Sequence, residues 1–336
     1  MHRCYIRSFS SAPRAGLSVG FIGLGNMGYP MALNLLRKRP DGKENLLVMD
    51  MNPQTLARAQ QDELSIASSV TELADCDVIF TMLPGCAAVH ATMNTLLEHE
   101  KAKTARTENK IFVDCSTVSP ATSRHWNELW RTEYGYTFLD APVSGGVKGA
   151  TEGTLTFMVG GCNDDVVGAF QGRIQPLLEC MASRVILCGA AAGAGAATKL
   201  CNNLALATQM IGICEAMNLG TALDVDPVVL ANVMNISTAG CWSSRVNNPH
   251  PAVAASLPAP QPPAAHSYQG GFGTKLMLKD LGLAVAAAQQ VGSPSPLTSL
   301  SRELYSLADA HGLGDKDFGV MLQFLKGRHE EKGEKK

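Results

Sequence analysis

A glycine-rich turn at residues 23–28, Gly-Leu-Gly-Asn-Met-Gly, has the residue types and spacing that bind a dinucleotide pyrophosphate. An apolar run precedes it and a helical pattern follows it, so the sequence predicts a strand, a tight turn and a helix start in that order. Gly23 permits the turn, Gly25 lets the backbone approach a phosphate, and Gly28 lets the helix pack closely on the strand. A structural turn without a ligand is the alternative.

Asp50 adds a second element to this pattern. It ends the next apolar run, 22 positions after Gly28, close to the ~20 residues expected for a carboxylate that bonds ribose hydroxyls. With Asn26 and Met27 completing the turn, these residues predict an NAD site. The two residues after Asp50 supply no arginine for a 2′-phosphate, so we expect NAD to be preferred over NADP.

Lys199 and Asn203 have the side chains needed to move a proton during the oxidation of an alcohol. They are four positions apart in a long helical pattern, so their side chains share one face. A lysine has an ordinary pKa of about 10.4, and an apolar or cationic setting makes it a useful base near neutral pH. The alternative is a lysine whose stem lies along an interfacial helix. The spacing alone does not separate the two.

Residues 140–146, Asp-Ala-Pro-Val-Ser-Gly-Gly, form a candidate anion site. Ser144, Gly145 and Gly146 could present successive backbone N–H groups and a hydroxyl to a substrate carboxylate. A plain turn between strands would use the same residues.

Two further segments follow predicted strands at their carboxyl ends, where ligands bind in sheets of this type. Ser116 and Thr117 lie in one segment and Leu83 and Pro84 in the other, and all four are predicted to contact the cofactor. The pair 119–120, Ser-Pro, independently predicts a helix N-cap followed by proline. Both interpretations can hold together.

The segment 268–273, Tyr-Gln-Gly-Gly-Phe-Gly, is typical of a loop that closes over a site. Phe272 lies among its glycines, and Lys279 follows shortly after. The alternatives are core packing for Phe272 and a surface ion pair for Lys279.

Short apolar runs alternate with helical patterns over residues 17–188, which predicts an α/β Rossmann domain with a mainly parallel sheet. The predicted strands are 19–22, 46–49, 78–82, 111–113, 138–139, 154–159 and 185–187. The predicted helices are 27–37, 53–61, 87–97 and 121–130.

The pattern beyond residue 188 predicts a second, all-α domain over residues 189–326, built on a long interdomain helix. This helix runs from about residue 196 to residue 223, and at 1.5 Å per residue it would span roughly 40 Å. Further helices are predicted at 274–290, 295–310 and 315–325. Clustered prolines predict a loop over 249–266, because proline is excluded from helix interiors.

The composition excludes several classes of protein. A formal net charge of −2 gives no basis for a nucleic-acid or membrane partner, and no apolar run approaches the ~18 residues of a membrane span. Ten cysteines are scattered without a C-x-x-C pair. The sequence therefore predicts neither a metal site nor a disulfide scaffold.

Residues 1–16 carry Arg3, Arg7 and Arg14 among serines, and no acidic residue occurs before Asp41. This composition is typical of a mitochondrial transit peptide and predicts a location in the matrix. A basic tail is the alternative. Residues 327–336 are predicted to form a charged, solvated tail.

These segments together resemble the β-hydroxyacid dehydrogenase family, and the resemblance covers residues 16 to about 325. The matching stretches are GFIGLGNMGYPMA (20–32), TMLP (81–84), DCSTVSP (114–120), DAPVSGGVKGATEGTLTFMVGG (140–161), GAGAATKLCNN (193–203), CWSS (241–244) and YQGGFGTKLMLKDLGLA (268–284).

The resemblance implies a reaction and a role for each matching residue. The reaction is the NAD-dependent oxidation of 3-hydroxyisobutyrate to methylmalonate semialdehyde in valine degradation, by a homodimer or homotetramer. Lys199 is implied as the catalytic acid/base and Asn203 as the residue that orients the substrate hydroxyl. The implied carboxylate-binding residues are Ser144, Gly145 and Gly146, the implied cofactor contacts include Leu83, Pro84, Thr117 and Lys279, and the implied pocket residues are Trp242 and Phe272.

Two features depart from the family pattern. Ala88 stands where relatives carry an asparagine near the cofactor, and the proline-rich loop 249–266 is longer than theirs. Two other functions stay open: a sister enzyme such as a tartronate semialdehyde or glyoxylate reductase, and a non-catalytic NAD-binding module. The retained Lys199 argues against the second of these.

Overall fold

The computed structural model describes residues 16–39, 45–104 and 109–326. These residues separate into two compact units, which divide between Lys199 and Leu200. Apart from Gly16, the predicted transit peptide lies outside the described residues, and so does the predicted tail 327–336.

The described part of the first unit contains one sheet of nine strands. The strands are β1 (Val19–Ile22), β2 (Leu46–Met49), β3 (Ser65–Ile66), β4 (Val78–Thr81), β5 (Ile111–Asp114), β6 (Thr137–Asp140), β7 (Val143–Ser144), β8 (Leu155–Gly160) and β9 (Ala182–Gly189). Their order is β3-β2-β1-β4-β5-β6-β8-β7, with β9 beside β8. The neighbours from β3 to β6 are parallel, whereas β8 is antiparallel to β6 and β7. The predicted mainly parallel sheet is confirmed.

Helices cover both faces of this sheet, which explains the continuous apolar runs of its central strands. The helices of the first unit are α1 (Gly28–Lys38), α2 (Pro53–Gln61), α3 (Cys86–Ala102), α4 (Pro120–Leu129), α5 (Gly146–Glu152), α6 (Asp164–Ala169) and α7 (Gln175–Glu179). Phe80 packs into one apolar layer, while its neighbour Ile79 packs into the layer on the other face. Successive residues of a strand point to opposite faces, so both layers draw on the same strands.

The strand ends are in register along one edge of the sheet. Met49, Ile22, Thr81, Asp114 and Asp140 are paired in this order across β2, β1, β4, β5 and β6. Because these strands are parallel, the segments that follow them all emerge at this edge, which is where such sheets bind ligands.

The second unit is helical. Its elements are most of α8 (Ala194–Ala222), then α9 (Pro227–Ile236), α10 (Trp242–Arg245), α11 (Pro251–Ser256), α12 (Thr274–Gln290), α13 (Pro296–Ala308) and α14 (Met321–Lys326). Its core joins Met210 and Cys214 of α8 to Leu281, Tyr305 and Phe318. None of the helices in the described ranges has the length and apolar character that a membrane crossing requires.

The predicted helix 315–325 is wrong in its first half. Only Met321–Lys326 is α-helical, after a short 3₁₀ turn at Phe318–Val320. Asp317 pairs with Gly273 in an isolated β-bridge, and its carboxylate accepts a hydrogen bond from the N–H of Gly319 at 2.9 Å. This contact with a distant loop replaces the helical turn that the local pattern predicts.

The predicted loop 249–266 is partly helical. Pro251 begins α11, and Pro263 begins a 3₁₀ turn that ends at His266. Proline is well tolerated at the first position of a helix, where its missing N–H has no partner to lose. The prolines therefore mark helix starts within this segment.

Candidate active site

The glycine turn has the backbone that its sequence predicts. Gly23 has a φ of +97° and donates its N–H to the Met49 carbonyl at 2.8 Å. A Cβ atom on Gly23 would overlap the Met82 carbonyl oxygen, and one on Gly28 would overlap the carbonyl oxygen of Gly23. The fold itself therefore requires glycine at these two positions.

Gly25 differs from the other two glycines of the turn, Gly23 and Gly28. It is exposed, its φ is not in the left-handed region, and a Cβ atom placed on it would meet nothing within 4 Å. Nothing in the described protein explains a glycine here, whereas a phosphate group lying against the backbone would. Asn26 and Met27 lie beside this open space, so the turn fits a dinucleotide.

Asp50 is held at the end of β2, next to this turn. Its Oδ2 accepts the Leu24 N–H at 2.6 Å, and its Oδ1 accepts the Asn52 N–H at 2.8 Å. The side chain is half-buried, and each carboxylate oxygen can accept a second hydrogen bond. The carboxylate can therefore support the turn and still bond a ribose.

Leu83 and Ser116 meet at the carboxyl ends of β4 and β5. The Leu83 N–H donates to the buried Ser116 Oγ at 2.8 Å, so the two predicted cofactor segments are joined directly. Pro84 is exposed and Thr117 is half-buried beside them. The helix N-cap predicted at Ser119 is confirmed, because Ser119 Oγ accepts the Thr122 N–H at 3.1 Å.

Asp114 is fully buried beneath this junction. Its Oδ1 accepts both the Thr81 hydroxyl at 2.8 Å and the Ser116 N–H at 3.1 Å, while its Oδ2 has no hydrogen-bond partner among the described residues. Burial, with a smaller contribution from the charge of Asp140, raises the pKa of Asp114 to about 6 against the lowering effect of these bonds.

The segment Ser144–Gly146 is more than a plain turn. Ser144 pairs with Thr156 in the β7–β8 ladder, while Gly145 and Gly146 have φ values of +135° and +62° and are exposed. Gly146 begins α5, so its N–H belongs to the helix start and has no intrahelical acceptor. The segment offers polar groups to solvent, as a carboxylate site would need.

Lys199 and Asn203 lie one turn apart on α8, and both are buried. Only 8% of Lys199 and 2% of Asn203 is exposed. Asp140, at the end of β6, accepts hydrogen bonds from two N–H groups at the start of the same helix. The buried lysine is therefore close to an anchored helix end.

A polar chain orients Asn203 within the second unit. Its Nδ2 donates to Asp280 Oδ2 at 2.6 Å, and its Oδ1 accepts from Asn202 Nδ2 at 3.0 Å. Lys279 Nζ lies 3.2 Å from the other oxygen of Asp280. Asp280 is 2% exposed, so the ion pair of Lys279, which the alternative interpretation put at the surface, is made to a buried carboxylate.

Phe272 and Trp242 differ in their surroundings. Phe272 is half-buried and packs edge-on against Phe318, with ring centroids 6.0 Å apart, which confirms its contribution to the core. Asp317 holds its loop by accepting the Phe272 N–H at 2.9 Å, and burial raises the pKa of this carboxyl. Trp242 begins α10 with 48% of its surface exposed, so the indole is available for contacts.

Asp114, Asp280 and Asp317 are functional positions that the local sequence patterns do not single out. Each is an acidic residue next to an apolar stretch, a weak signal that a search for buried carboxylates could have used. Their partners are distant in sequence, so local spacing could not identify the contacts. Among the residues with described positions, no three His, Cys, Asp or Glu side chains cluster as metal ligands would.

Two family models match almost the whole described chain. Residues 18–189 match the NAD binding domain of 6-phosphogluconate dehydrogenase. Residues 193–325 match a domain described as NAD-binding of NADP-dependent 3-hydroxyisobutyrate dehydrogenase.

Named relatives agree with these models over most of their length. The chain is 43% identical over 314 residues to human mitochondrial 3-hydroxyisobutyrate dehydrogenase, covering 92% of this chain and 86% of the relative. It is 43% identical over 309 residues to a probable mitochondrial 3-hydroxyisobutyrate dehydrogenase of Dictyostelium discoideum, with coverage of 92% and 90%. The solved Mycobacterium tuberculosis 3-hydroxyisobutyrate dehydrogenase with L-serine superposes with a TM-score of 0.80 at 36% identity, with coverage of 92% and 99%.

Proposed function

The chain belongs to the 3-hydroxyisobutyrate dehydrogenase family of NAD-binding oxidoreductases, and on this premise we propose that it oxidises 3-hydroxyisobutyrate to methylmalonate semialdehyde in valine degradation. The observation that carries the proposal is the pair Lys199 and Asn203, both buried and one turn apart on α8. A nucleotide-binding module without catalysis has no need of a buried amine and amide at this spacing.

The cofactor is held by the glycine turn of residues 23–28, by Asp50 and by the predicted contacts that end β4 and β5. The open space at Gly25 supports this placement, as does the free acceptor capacity of Asp50. Lys279 contributes a positive charge, which Asp280 holds in place. Bound NAD supplies the acceptor for the hydride that leaves the carbinol carbon.

Lys199 takes the hydroxyl proton onto Nζ as the carbon–oxygen double bond forms, and returns it in the reverse direction. Asn203 orients the same hydroxyl through its amide, whose rotation is fixed by Asp280 and Asn202. The proton transfer is carried out by side chains, so the mechanism invokes no metal.

Substrate recognition uses the two ends of the hydroxy acid. Ser144, Gly145 and Gly146 bind the carboxylate through a hydroxyl and backbone N–H groups. Trp242 and Phe272 line the pocket for the methyl branch. A single methyl group is worth only ~1–3 kcal/mol of discrimination, so sister hydroxy acids are expected as slower substrates.

A substrate panel tests this function directly. With NAD present, we expect the highest kcat/KM for one enantiomer of 3-hydroxyisobutyrate. L-Serine, glycerate and 4-hydroxybutyrate should follow, and L-serine is included because it accompanies the related M. tuberculosis structure. A higher kcat/KM for glycerate would instead support a tartronate semialdehyde or glyoxylate reductase. No turnover of any hydroxy acid would leave only a nucleotide-binding module.

NAD is expected to give a kcat/KM roughly 100-fold above that of NADP, because a carboxylate next to a 2′-phosphate costs several kcal/mol. Asp50 supplies the repulsion, and the exposed Met51 beside it supplies no positive charge. The measurement compares both cofactors at saturating 3-hydroxyisobutyrate. The double variant Asp50→Ser/Met51→Arg, which keeps a hydrogen-bond acceptor for the turn, should reverse the ratio. A wild-type preference for NADP would contradict the role of Asp50.

We also propose a location in the mitochondrial matrix and self-association as a homodimer or homotetramer. The location is supported by the names of the relatives and by the basic composition of residues 1–16. Self-association is supported by exposed apolar side chains on α8, on α9 and between them, among them Leu219, Leu223 and Ile236. The domain bounds 17–188 and 189–326 are part of the same proposal.

A further inference from the structure

We propose that Asp140 is a positioning residue, whose carboxylate fixes the first turn of α8 and thereby the place of Lys199 relative to the segment Ser144–Gly146. This inference rests on the proposed function, in which Lys199 is the base and that segment binds the substrate carboxylate.

Both oxygens of Asp140 are engaged by the start of α8. Oδ1 accepts the Gly193 N–H at 2.7 Å and Oδ2 accepts the Ala196 N–H at 2.8 Å, while the residue is 1% exposed. A carboxylate at a helix start satisfies N–H groups that have no intrahelical acceptor and also faces the positive end of the helix dipole. Lys199 is three positions beyond Ala196, so it lies within one turn of the anchored residue.

The junction around Asp140 has no spare volume. A Cβ atom on Gly160 would lie 2.7 Å from both carboxylate oxygens, and one on Gly195 would overlap the Met158 carbonyl oxygen. A Cβ atom on Gly193 would lie 2.7 Å from the Pro120 carbonyl oxygen. These close approaches leave the start of α8 little room to shift relative to β6.

The same strand end leads directly to the proposed carboxylate site, because Ser144 follows Asp140 by only four positions. One residue therefore connects the segment that binds the substrate carboxylate with the helix that carries the base. The carboxylate and hydroxyl of a given hydroxy acid are a fixed number of bonds apart. A fixed separation between Ser144 and Lys199 brings the hydroxyl within reach of the amine, and a shift of about 1 Å can cost 10²-fold in rate.

Asp114 provides a matched comparison, since it is paired with Asp140 across β5 and β6 and is equally buried. Both of its hydrogen bonds are made to Oδ1, and Oδ2 has no partner among the described residues. An asparagine at 114 keeps both bonds. An asparagine at 140 must instead direct its NH₂ group at a backbone N–H, which breaks one of the two bonds to α8.

The experiment measures kcat, the NAD dissociation constant and the number of NAD molecules bound per chain for Asp140→Asn and Asp114→Asn. We expect Asp140→Asn to lower kcat by about 10–100-fold, with unchanged NAD affinity and a full complement of NAD per chain. Full NAD binding shows that the lost rate is not lost folded protein. Asp114→Asn keeps both hydrogen bonds of Oδ1 and should lower kcat by a smaller factor than Asp140→Asn does.

A double variant separates positioning of the lysine from a general structural effect. If Asp140 acts through Lys199, adding Asp140→Asn to Lys199→Ala leaves the residual rate unchanged, because the group that it positions is already gone. A further fall in the residual rate would overturn the proposal. Equal losses of kcat in Asp140→Asn and Asp114→Asn would also overturn it.

Ala196→Pro is a second variant in case Asp140→Asn does not fold. It removes one donor to Asp140 in the first helical turn, where proline is tolerated, and a lower kcat with full NAD binding supports the proposal. An unchanged kcat in either variant, or failure of both variants to fold, overturns it.

If Lys199→Ala itself retains the wild-type kcat, the proposed function has failed. If Lys199→Ala is inactive while Asp140→Asn has the wild-type kcat, only the role of Asp140 has failed.

Discussion

Replacement of Lys199 by alanine is expected to lower kcat by about 10³-fold, within the 10²–10⁴-fold range that a positioned general base contributes. The variant loses the amine that accepts the hydroxyl proton, while the glycine turn and Asp50 are untouched. We therefore expect NAD to bind with wild-type affinity. Steady-state rates with 3-hydroxyisobutyrate and a titration of NAD by fluorescence measure the two quantities separately.

Lys101→Ala is the matched control for this substitution. Lys101 is an exposed lysine on α3, and its ion pair with Glu98 at 2.8 Å is of the surface kind that contributes little. Its removal should leave kcat and NAD binding unchanged. If Lys199→Ala turns over substrate at the wild-type rate, the amine is not the base, and the alternative of a lysine that packs along a helix is correct.

Gly25→Ala should weaken NAD binding by about 10–100-fold while the protein folds as before, since one lost hydrogen bond to a charged phosphate costs about 1.5–3 kcal/mol. A Cβ atom at this position meets no protein atom within 4 Å, and the backbone is not in the left-handed region. The added methyl group enters only the space assigned to the pyrophosphate. Calorimetric titration with NAD measures the affinity, and thermal unfolding without NAD measures stability.

Gly168→Ala is the corresponding control, because Gly168 on α6 also has open space at its Cβ position but is not in the glycine turn. It should leave the NAD affinity unchanged and should not lower the melting temperature, because alanine is favoured over glycine in a helix interior by about 1 kcal/mol. Wild-type NAD affinity in Gly25→Ala would mean that the cofactor does not approach this backbone, and the turn would then be purely structural.

The sequence predicts the fold well where one local pattern decides the structure. The strands 19–22 and 46–49 and the helices 53–61 and 274–290 have the predicted bounds. In each case residues typical of turns or caps flank the pattern. Asn52 is an example, because its side chain accepts the Gln54 N–H at 3.0 Å and caps α2.

Short elements and distant contacts escape this kind of prediction. The two-residue strands β3 and β7 and the seven-residue helix α5 are too short to show a period. The helix predicted from residue 315 fails because Asp317 makes its bonds to Gly319 and to Phe272, and the second of these partners is 45 positions away. The contact of Asn203 with Asp280 spans 77 positions.

For the candidate site, the residue types were predictable but the supporting side chains were not. Gly23 and Gly28 have the steric reasons that the turn motif implies, and Ser119 caps its helix as expected. The carboxylates of Asp114, Asp140 and Asp280 bond to Ser116, to the start of α8 and to Asn203, and only the folded chain brings these partners together. The roles of the site residues themselves stay predictions for the experiments above.

The buried carboxyl of Asp114 also links folding to proton uptake. Its pKa of about 6 in the folded protein lies above the ordinary 3.8. Between pH 3.8 and about pH 6, the native chain therefore keeps a proton on this carboxyl that the unfolded chain has released. The contribution of this group to stability is present below about pH 4 and is lost as the pH rises through 6, a difference of roughly 3 kcal/mol. Near neutrality this part of the sheet edge therefore holds an ionised group at a free-energy cost, which the rest of the fold must offset.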